Sequence, residues 1–358
     1  MVSGRASAIE HTIRLSLRER TITVSDVMDG LDTSRRTVRR ALKDAEELGW
    51  VEKPAPNADR WVPSDKAREN RIAERTTGYQ QDTPQMYYVT GNTTAPDCLF
   101  DENVLVSAGV GWRNSGSGFS IGIPDARTLM VDSGGYQAAV YFRDEYPYGP
   151  ADLHRWAENI RADVVWGMDW ACEDREVLAS LNDNISPDDI APYEDRLLWA
   201  WEDQIDQFEE HQQGRYGHEF RPVVQGQQPA EYREFARRLR ESHLPTENVG
   251  IGTVCKRETR DGILRVLNAV RDELPETNIH LFGATLEVWK DQRFAGLFDS
   301  SDTAAWETNY QGGEGDGCKI ASGQAELSRA FEDYRDKVEN ARERLEYHKS
   351  QTGIADYA

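Results

Sequence analysis

From residue 85 onward, short apolar runs alternate with longer amphipathic polar stretches, which is the pattern of repeated β/α units. The runs are QMYYVTGN (85–92), NVLVSAG (103–109), TLMVD (128–132) and ADVVWGMD (162–169), then FRPVVQGQ (220–227), NVGIGTV (248–254), NIHLFGA (278–284) and AGLFDSSD (295–302). Each has strand length rather than helix length. Eight of them over about 250 residues predict an α/β fold, a (β/α)8 TIM barrel spanning 85–322. Helices are expected between them, for instance over 150–162 and 229–242, with an inserted loop and a long helix within 173–219. Beyond the barrel, 323–358 reads as a charged helix and tail, the helix over 324–350 packing on the barrel.

The pattern before residue 76 is different. Ile9, Ile13 and Leu17 fall at helical spacing within 6–20, and 23–31 reads as a second helix with Ser25 as its N-cap. A third helix within 32–50 runs through Val38, Leu42 and Leu48 and stops at Gly49; residues 50–62 then read as two short strands about a turn. Three helices and a hairpin in this order resemble a small winged helix-turn-helix domain over 1–75, joined to the barrel by a linker at 76–84. In that motif the third helix enters the DNA major groove. Its exposed face carries Ser34, Arg35, Arg36, Thr37, Arg39, Arg40 and Lys43, groups suited to phosphates and base edges. Such a run is often only a solvated helix face. Its clustering inside an acidic protein points instead to double-stranded DNA as a partner.

Charge sharpens this division. The chain carries 42 Lys+Arg against 63 Asp+Glu, a net charge of −21, with 34 Arg but only 8 Lys. An acidic, lysine-poor surface suits high salt, and an acidic mesophilic protein is the alternative. Residues 1–75 hold 15 basic and 13 acidic side chains, so 76–358 hold 27 and 50, a head near neutral on a body of −23. No run of about 18 apolar residues occurs and no signal peptide is recognisable, so no membrane partner is expected and the location expected is cytoplasmic. Cys98, Cys172, Cys255 and Cys318 lie too far apart to predict a disulfide framework or a C-x-x-C metal site. Cys172 and Cys255 read as small buried residues and His280 as a structural strand residue.

Polar or glycine residues recur where the barrel runs end: Asn92, Asp132, Asp169, Gln225, Gly252, Gly283 and Asp302. In such barrels those ends build the active site. Three carboxylates and a glutamine from four strands imply recognition of a flat polar ligand together with acid/base or nucleophilic chemistry.

These residues resemble the tRNA-guanine transglycosylase superfamily. Asp132-Ser-Gly-Gly-Tyr-Gln137 is similar to its D-S-G-G-[FY]-Q segment, VVWGMDWAC (164–172) to its strand ending in a base-binding Asp, VVQGQ (223–227) to V-Q-G-G, and IHLFGA (279–284) to H-L-F-G. The resemblance implies a covalent nucleophile downstream, and DTAAW places it at Asp302, nineteen residues after Gly283, with Asp299 in LFDSS as the rival. It further implies that Tyr136 stacks on a purine and that Asp169 and Gln225 bind its edge. The same implication makes Ser133 and a backbone N–H from Gly250–Gly252 complete the base site, and makes Asp132 the general acid/base. No zinc site can be assigned, because the family's C-x-C-x-x-C…H motif is absent, and no other cofactor is implied. With RNA-binding parts missing and a DNA-reading head present, the chain looks most like the branch that inserts a 7-deazaguanine base, the co-substrate, into DNA. A tRNA substrate and a non-enzymatic, deazapurine-sensing DNA-binding regulator are the alternatives, and homodimer formation stays open.

Overall fold

The computed structural model describes residues 4–16, 22–29, 33–55, 58, 60–64, 66–67, 84–91, 96–113, 118–214, 216–255, 257, 259–308 and 324–355. The chain divides into two units, Met1–Gln81 and Asp82–Ala358.

The first unit comprises α1 (Gly4–Ser16), β1 (Ile22–Thr23), α2 (Val24–Asp29), α3 (Arg35–Glu47), β2 (Val51–Glu52) and β3 (Arg60–Pro63). Its sheet has the order β1-β3-β2, all antiparallel, with one more strand than the pattern predicted. Val38, Ala41, Leu42 and Ala45 repeat at three and four residues, so α3 buries one stripe against Ile22, Val27 and Trp61. Ser34 caps α3, its hydroxyl accepting from the Thr37 N–H at 3.2 Å. The expected cap of α2 is corrected. Ser25 lies inside the helix, and Thr23 does the capping, its Oγ1 accepting from the Asp26 N–H at 3.3 Å while Asp26 accepts from the Thr23 N–H at 2.5 Å.

In the second unit a sheet of nine parallel strands is built from β4 (Gln85–Thr90), β5 (Asn103–Ser107), β6 (Thr128–Asp132), β7 (Val164–Trp166), β8 (Glu219–Arg221), β9 (Val223–Val224), β10 (Asn248–Ile251), β11 (Asn278–Leu281) and β12 (Ser300–Thr303). Their order is β8-β7-β6-β5-β4-β12-β11-β10-β9. The two outermost, β8 and β9, are successive pieces of one extended segment separated only by Pro222, whose carbonyl accepts from the Gly250 N–H at 2.8 Å. Proline has no N–H to give a ladder, which interrupts the strand there. The sheet is thus barrel-like and nearly closed, compatible with a TIM-type barrel.

Helices α4 (Ala108–Gly111), α5 (Gly135–Val140), α6 (Pro150–Asn159), α7 (Arg175–Ala179), α8 (Tyr193–Gly214), α9 (Pro229–Glu241), α10 (Arg260–Glu273), α11 (Leu286–Trp289), α12 (Ala305–Thr308) and α13 (Gln324–Ala355) complete the unit. Val266, Leu267, Tyr232 and Phe235 on α9 and α10 share one core with the outward residues Val104, Val249 and Ile279 of the strands. Leu327, Phe331, Tyr334 and Val338 of α13 join the same core. The last strand starts later than the run 295–302 suggests: Gly296 has φ +76°, which bends the chain out of extended geometry, and Phe298 packs on Trp289 instead. Among the described residues no helix is long and apolar enough to cross a membrane.

Candidate functional site

Alternate residues of a strand face opposite sides, so each barrel strand turns every second side chain inward. Tyr87, Leu105, Met130, Val164, Trp166 and Val223 form an apolar plug, with Val89 and Phe282 packed against it. Two residues further along β5, β6 and the β9 extension the same face becomes polar, and Asp302 of β12, a strand that gives the plug no residue, joins it. There Ser107, Asp132, Gln225 and Asp302 line a cavity of about 400 Å³ together with Tyr136, Asp169 and Gly252.

Asp132 ends β6 and leads into a turn that only glycine can make. Gly134 has φ +88°, and a Cβ there would stand 2.5 Å from the Gly109 nitrogen; one on Gly135 would stand 2.5 Å from the Asp169 carbonyl. The turn is thereby pressed against Asp169. Ser133 is fully buried and donates to Asp169 Oδ1 at 2.8 Å, so it stands behind that carboxylate and outside the cavity wall, where a base contact had been expected. The Tyr146 hydroxyl donates to the Asp169 carbonyl.

Asp169 and Gln225 meet directly, the Gln225 amide donating to Asp169 Oδ2. Gln225 Oε1 accepts from the Thr253 hydroxyl at 2.7 Å, which fixes which end of the amide is which. A Cβ on Gly252 would come within 2.1 Å of Gln225 Nε2, so glycine is needed for that amide to lie flat. The expected backbone donors are corrected. The Gly250 and Gly252 N–H groups are already spent on Pro222 O (2.8 Å) and Val224 O (3.1 Å). Gly250 lies below the cavity, making room for the Phe282 and Trp166 rings.

Asp302 is 7% exposed and held through one oxygen. Its Oδ1 accepts from the Gly283 N–H at 2.9 Å and lies 3.2 Å from His280 Nε2; Oδ2 has no hydrogen-bond partner among the described residues. His280 is buried between the Tyr87 and Trp166 rings, and its Nδ1 lies 2.9 Å from Ser300 Oγ. Burial holds His280 below its ordinary pKa, so the neutral ring donates from Nε2 and accepts at Nδ1. The rival Asp299 sits at the other end of the strand. Its Oδ2 accepts from the Ile279 N–H at 2.8 Å and pairs with Arg271 at 3.1 Å.

Burial raises the Asp132 pKa to about 7, and the neighbouring charges of Asp169 and Asp302 push the same way, against hydrogen bonds from Ser107 and the Gly134 N–H. Burial likewise raises Asp169 to about 6, opposed by the Ser133 and Gln225 hydrogen bonds. Two carboxyl groups that exchange protons near neutral pH therefore share a cavity with a third that is positioned with one oxygen unengaged.

Tyr136 is half-buried in the wall, its hydroxyl donating to Glu173 Oε1 at 2.7 Å. Trp306 is a core residue, its indole N–H bonded to Val89 O at 2.9 Å and its ring against Phe331. Phe282, Thr253, Glu173 and the His280–Asp302 contact were not anticipated from the sequence, and Cys255, expected like Cys172 to be buried, is instead partly exposed in the cavity wall. Only Phe282 and His280 left a signal, as alternate residues of the run NIHLF that must share the inward face. Cys318, and with it the region of the missing metal motif, lies outside the described residues.

In the first unit Arg35, Arg36, Arg39, Arg40 and Lys43 are all exposed on the face of α3 opposite its buried stripe. Ser34 and Thr37 hydroxyls are 2.9 Å apart and belong to the cap, and Lys43 pairs with Glu47 at 3.7 Å. No protein-family model and no curated protein matches this chain.

Proposed function

We propose that the second unit is a base-exchange transglycosylase, a pentosyltransferase that replaces guanine in DNA by a 7-deazaguanine base. The observation that carries this reading is the asymmetric hold on Asp302: two donors fix Oδ1 and leave Oδ2 toward a cavity that also contains Asp132 and the Asp169–Gln225 pair. A nucleophile needs that arrangement, because the attacking oxygen must be oriented and yet unengaged.

Asp302 Oδ2 attacks C1′ of the target nucleotide as the C1′–N9 bond breaks, and the bonding pair leaves on the purine. Asp132, with a pKa near neutral, delivers the proton that the departing guanine requires. The incoming deazapurine gives its N9 proton back to Asp132, and its nitrogen attacks C1′, releasing the Asp302 carboxylate. Two displacements at one carbon retain configuration, as in retaining glycosidases. Asp169 accepts from the N1–H and 2-amino group, Gln225 turns its second amide N–H to O6, and the Tyr136 and Phe282 rings supply apolar walls. A base inside a duplex must leave the stack to reach such a cavity.

The choice of DNA rests on the exposed arginines of α3, in a head read as a winged helix. The test is incubation with labelled guanine and 7-cyano-7-deazaguanine, duplex DNA and tRNA being offered separately, followed by mass analysis of nucleosides and of the protein. Incorporation into DNA with a protein–DNA adduct is expected. Incorporation into tRNA alone would move the substrate, and base binding with neither product would leave a sensing regulator.

A further inference from the structure

A second cavity, of about 520 Å³, opens beside the base cavity and shares Cys255 and Gly283 with it. Gly283 is the residue whose N–H holds Asp302, so the shared wall stands next to the proposed point of attack. The second cavity differs from the first in chemistry: its wall contains three guanidinium groups, Arg257, Arg260 and Arg293, with the hydroxyls of Thr259 and Thr285. Such a concentration is unusual in a chain of net charge −21.

The three arginines are not equivalent. Arg293 is neutralised by Asp291 at 2.7 Å and Asp261 at 2.6 Å, and the other acid in the wall, Glu287, pairs with Lys290 at 2.8 Å. Arg257 makes no ion pair with any of the described residues. Its Nη2 donates to Gln227 O at 2.7 Å, its planar group lies 5.3 Å from the Tyr232 ring centre, and its Nε has no partner among the described residues. Arg260 is half-exposed and, among the described residues, reaches only Asp291, at 3.7 Å. Two positive charges therefore face this space with no carboxylate of the described residues at hydrogen-bond distance, one of them on an anchored group. Guanidinium forks of this kind suit phosphate oxygens.

We infer that this cavity holds a phosphodiester group flanking the target nucleotide, so that the barrel itself grips the nucleic-acid backbone beside the base site. The inference rests on the base-exchange reading for the identity of the neighbouring ligand. It also gives the acidic unit its own anion site, in addition to the basic helix of the first unit. Anchoring a phosphate next to the sugar fixes where C1′ stands relative to Asp302, a positioning effect that a bound base cannot supply alone.

The test compares deoxyguanosine with its 3′,5′-bisphosphate by calorimetry on the full chain, in the wild type, Arg260→Ala and Arg257→Gln. The exposed Arg260 can be removed without a folding cost, which covers the case in which Arg257→Gln perturbs the fold. The bisphosphate is expected to bind the wild type about tenfold more tightly than the nucleoside. That advantage is expected to fall below about threefold in each variant, with nucleoside affinity unchanged. A weaker salt dependence of bisphosphate binding in the variants would add support. No phosphate-dependent gain in the wild type, or a gain that survives both substitutions, overturns the proposal. Wild-type binding of the bisphosphate but not the nucleoside, with the gain lost in the variants, would support the phosphate site and defeat the base-site reading.

Discussion

Asp299 and Asp302 stand three residues apart at opposite ends of β12, and their surroundings make them different chemical objects. Asp299 is half-exposed, ties β11 to its neighbour through the Ile279 N–H and pairs with Arg271. Asp302 is shielded, bound through one oxygen, and faces two further carboxyl groups across a cavity. Both ends of the sheet use aspartate, but at the N-terminal end it closes hydrogen bonds and at the C-terminal end one oxygen is left open. This is the division between stability and chemistry that barrel topology imposes.

The sharpest way to break that comparison is to exchange the carboxylates for amides. Asp302→Asn should abolish the covalent adduct and lower exchange by more than about 10³-fold, because an amide cannot serve as the nucleophile. Asp299→Asn should leave exchange within about threefold, while costing about 1 kcal/mol of stability through the weakened Ile279 and Arg271 contacts. An adduct trapped on the Asp302 variant, or lost only in the Asp299 variant, would reverse the assignment.

Asp132→Asn comes next, with a rate loss of about 10²–10⁴-fold expected if the proposed general acid/base is removed. Its stability effect should have the opposite sign. Asp132 is raised to about 7 in the folded chain, above its ordinary value near 4, so its ionisation opposes folding. The variant should therefore melt a few degrees higher at pH 8. A variant that is both inactive and less stable at pH 8 would show that Asp132 is a structural group.

A smaller effect is expected at His280. His280→Phe preserves ring volume between Tyr87 and Trp166 and removes the Nε2–H from Asp302 Oδ1. Exchange should fall about tenfold with guanine affinity unchanged, because the ring holds the proposed nucleophile and does not line the base cavity. A matching loss of base affinity would indicate a collapsed cavity instead.

The strands were legible because short continuous apolar runs mark strands buried on both faces, and Asp132, Asp169, Gln225 and Asp302 were legible because each stands at the end of such a run. LFDSSDT alone reads with either Asp299 or Asp302 at the strand end, and the spacing from Gly283 favoured Asp302; Gly296 at φ +76° delays the strand, which puts Asp302 on the cavity and Asp299 at the opposite end. Ser133 and Gly250 were misplaced for a related reason. A motif gives membership of a site but not which side of the backbone faces the ligand, and that depends on the partners Asp169 and Phe282 from other strands. Thr253, Glu173 and Cys255 lie in irregular segments, where no periodicity marks the inward residue.

The smallest effect concerns pH, and it separates the cavity from the outer layer of the same unit. His154 of α6 is fully buried, with Nε2 3.1 Å from Gln207 O and Nδ1 2.8 Å from His218 Nε2, beside His211 and Tyr216 and within reach of Glu158 through His218. A carbonyl only accepts, so Nε2 carries the hydrogen and Nδ1 accepts from His218. Protonating Nδ1 would set two N–H groups against each other. Burial, reinforced by His218, holds His154 down to about 3. Its contribution to stability is present above the unfolded value of about 6.5 and is lost as pH falls toward 3. The raised Asp132 does the reverse, favouring the fold at low pH and losing that contribution as pH rises from about 4 to about 7. Between about pH 4 and 6.5 the two slopes oppose each other, with the raised Asp169 adding to that of Asp132 up to about pH 6, so each group is read from the difference between its variant and the wild type. Relative to the wild type, His154→Gln should lose stability progressively from pH 4 to 6.5 and Asp132→Asn should gain it, each by at most about 1.4 kcal/mol per pH unit. Those slopes, read as changes across pH, are independent of any constant cost of the substitutions. Parallel curves for the wild type and both variants would mean that neither group is perturbed by its burial.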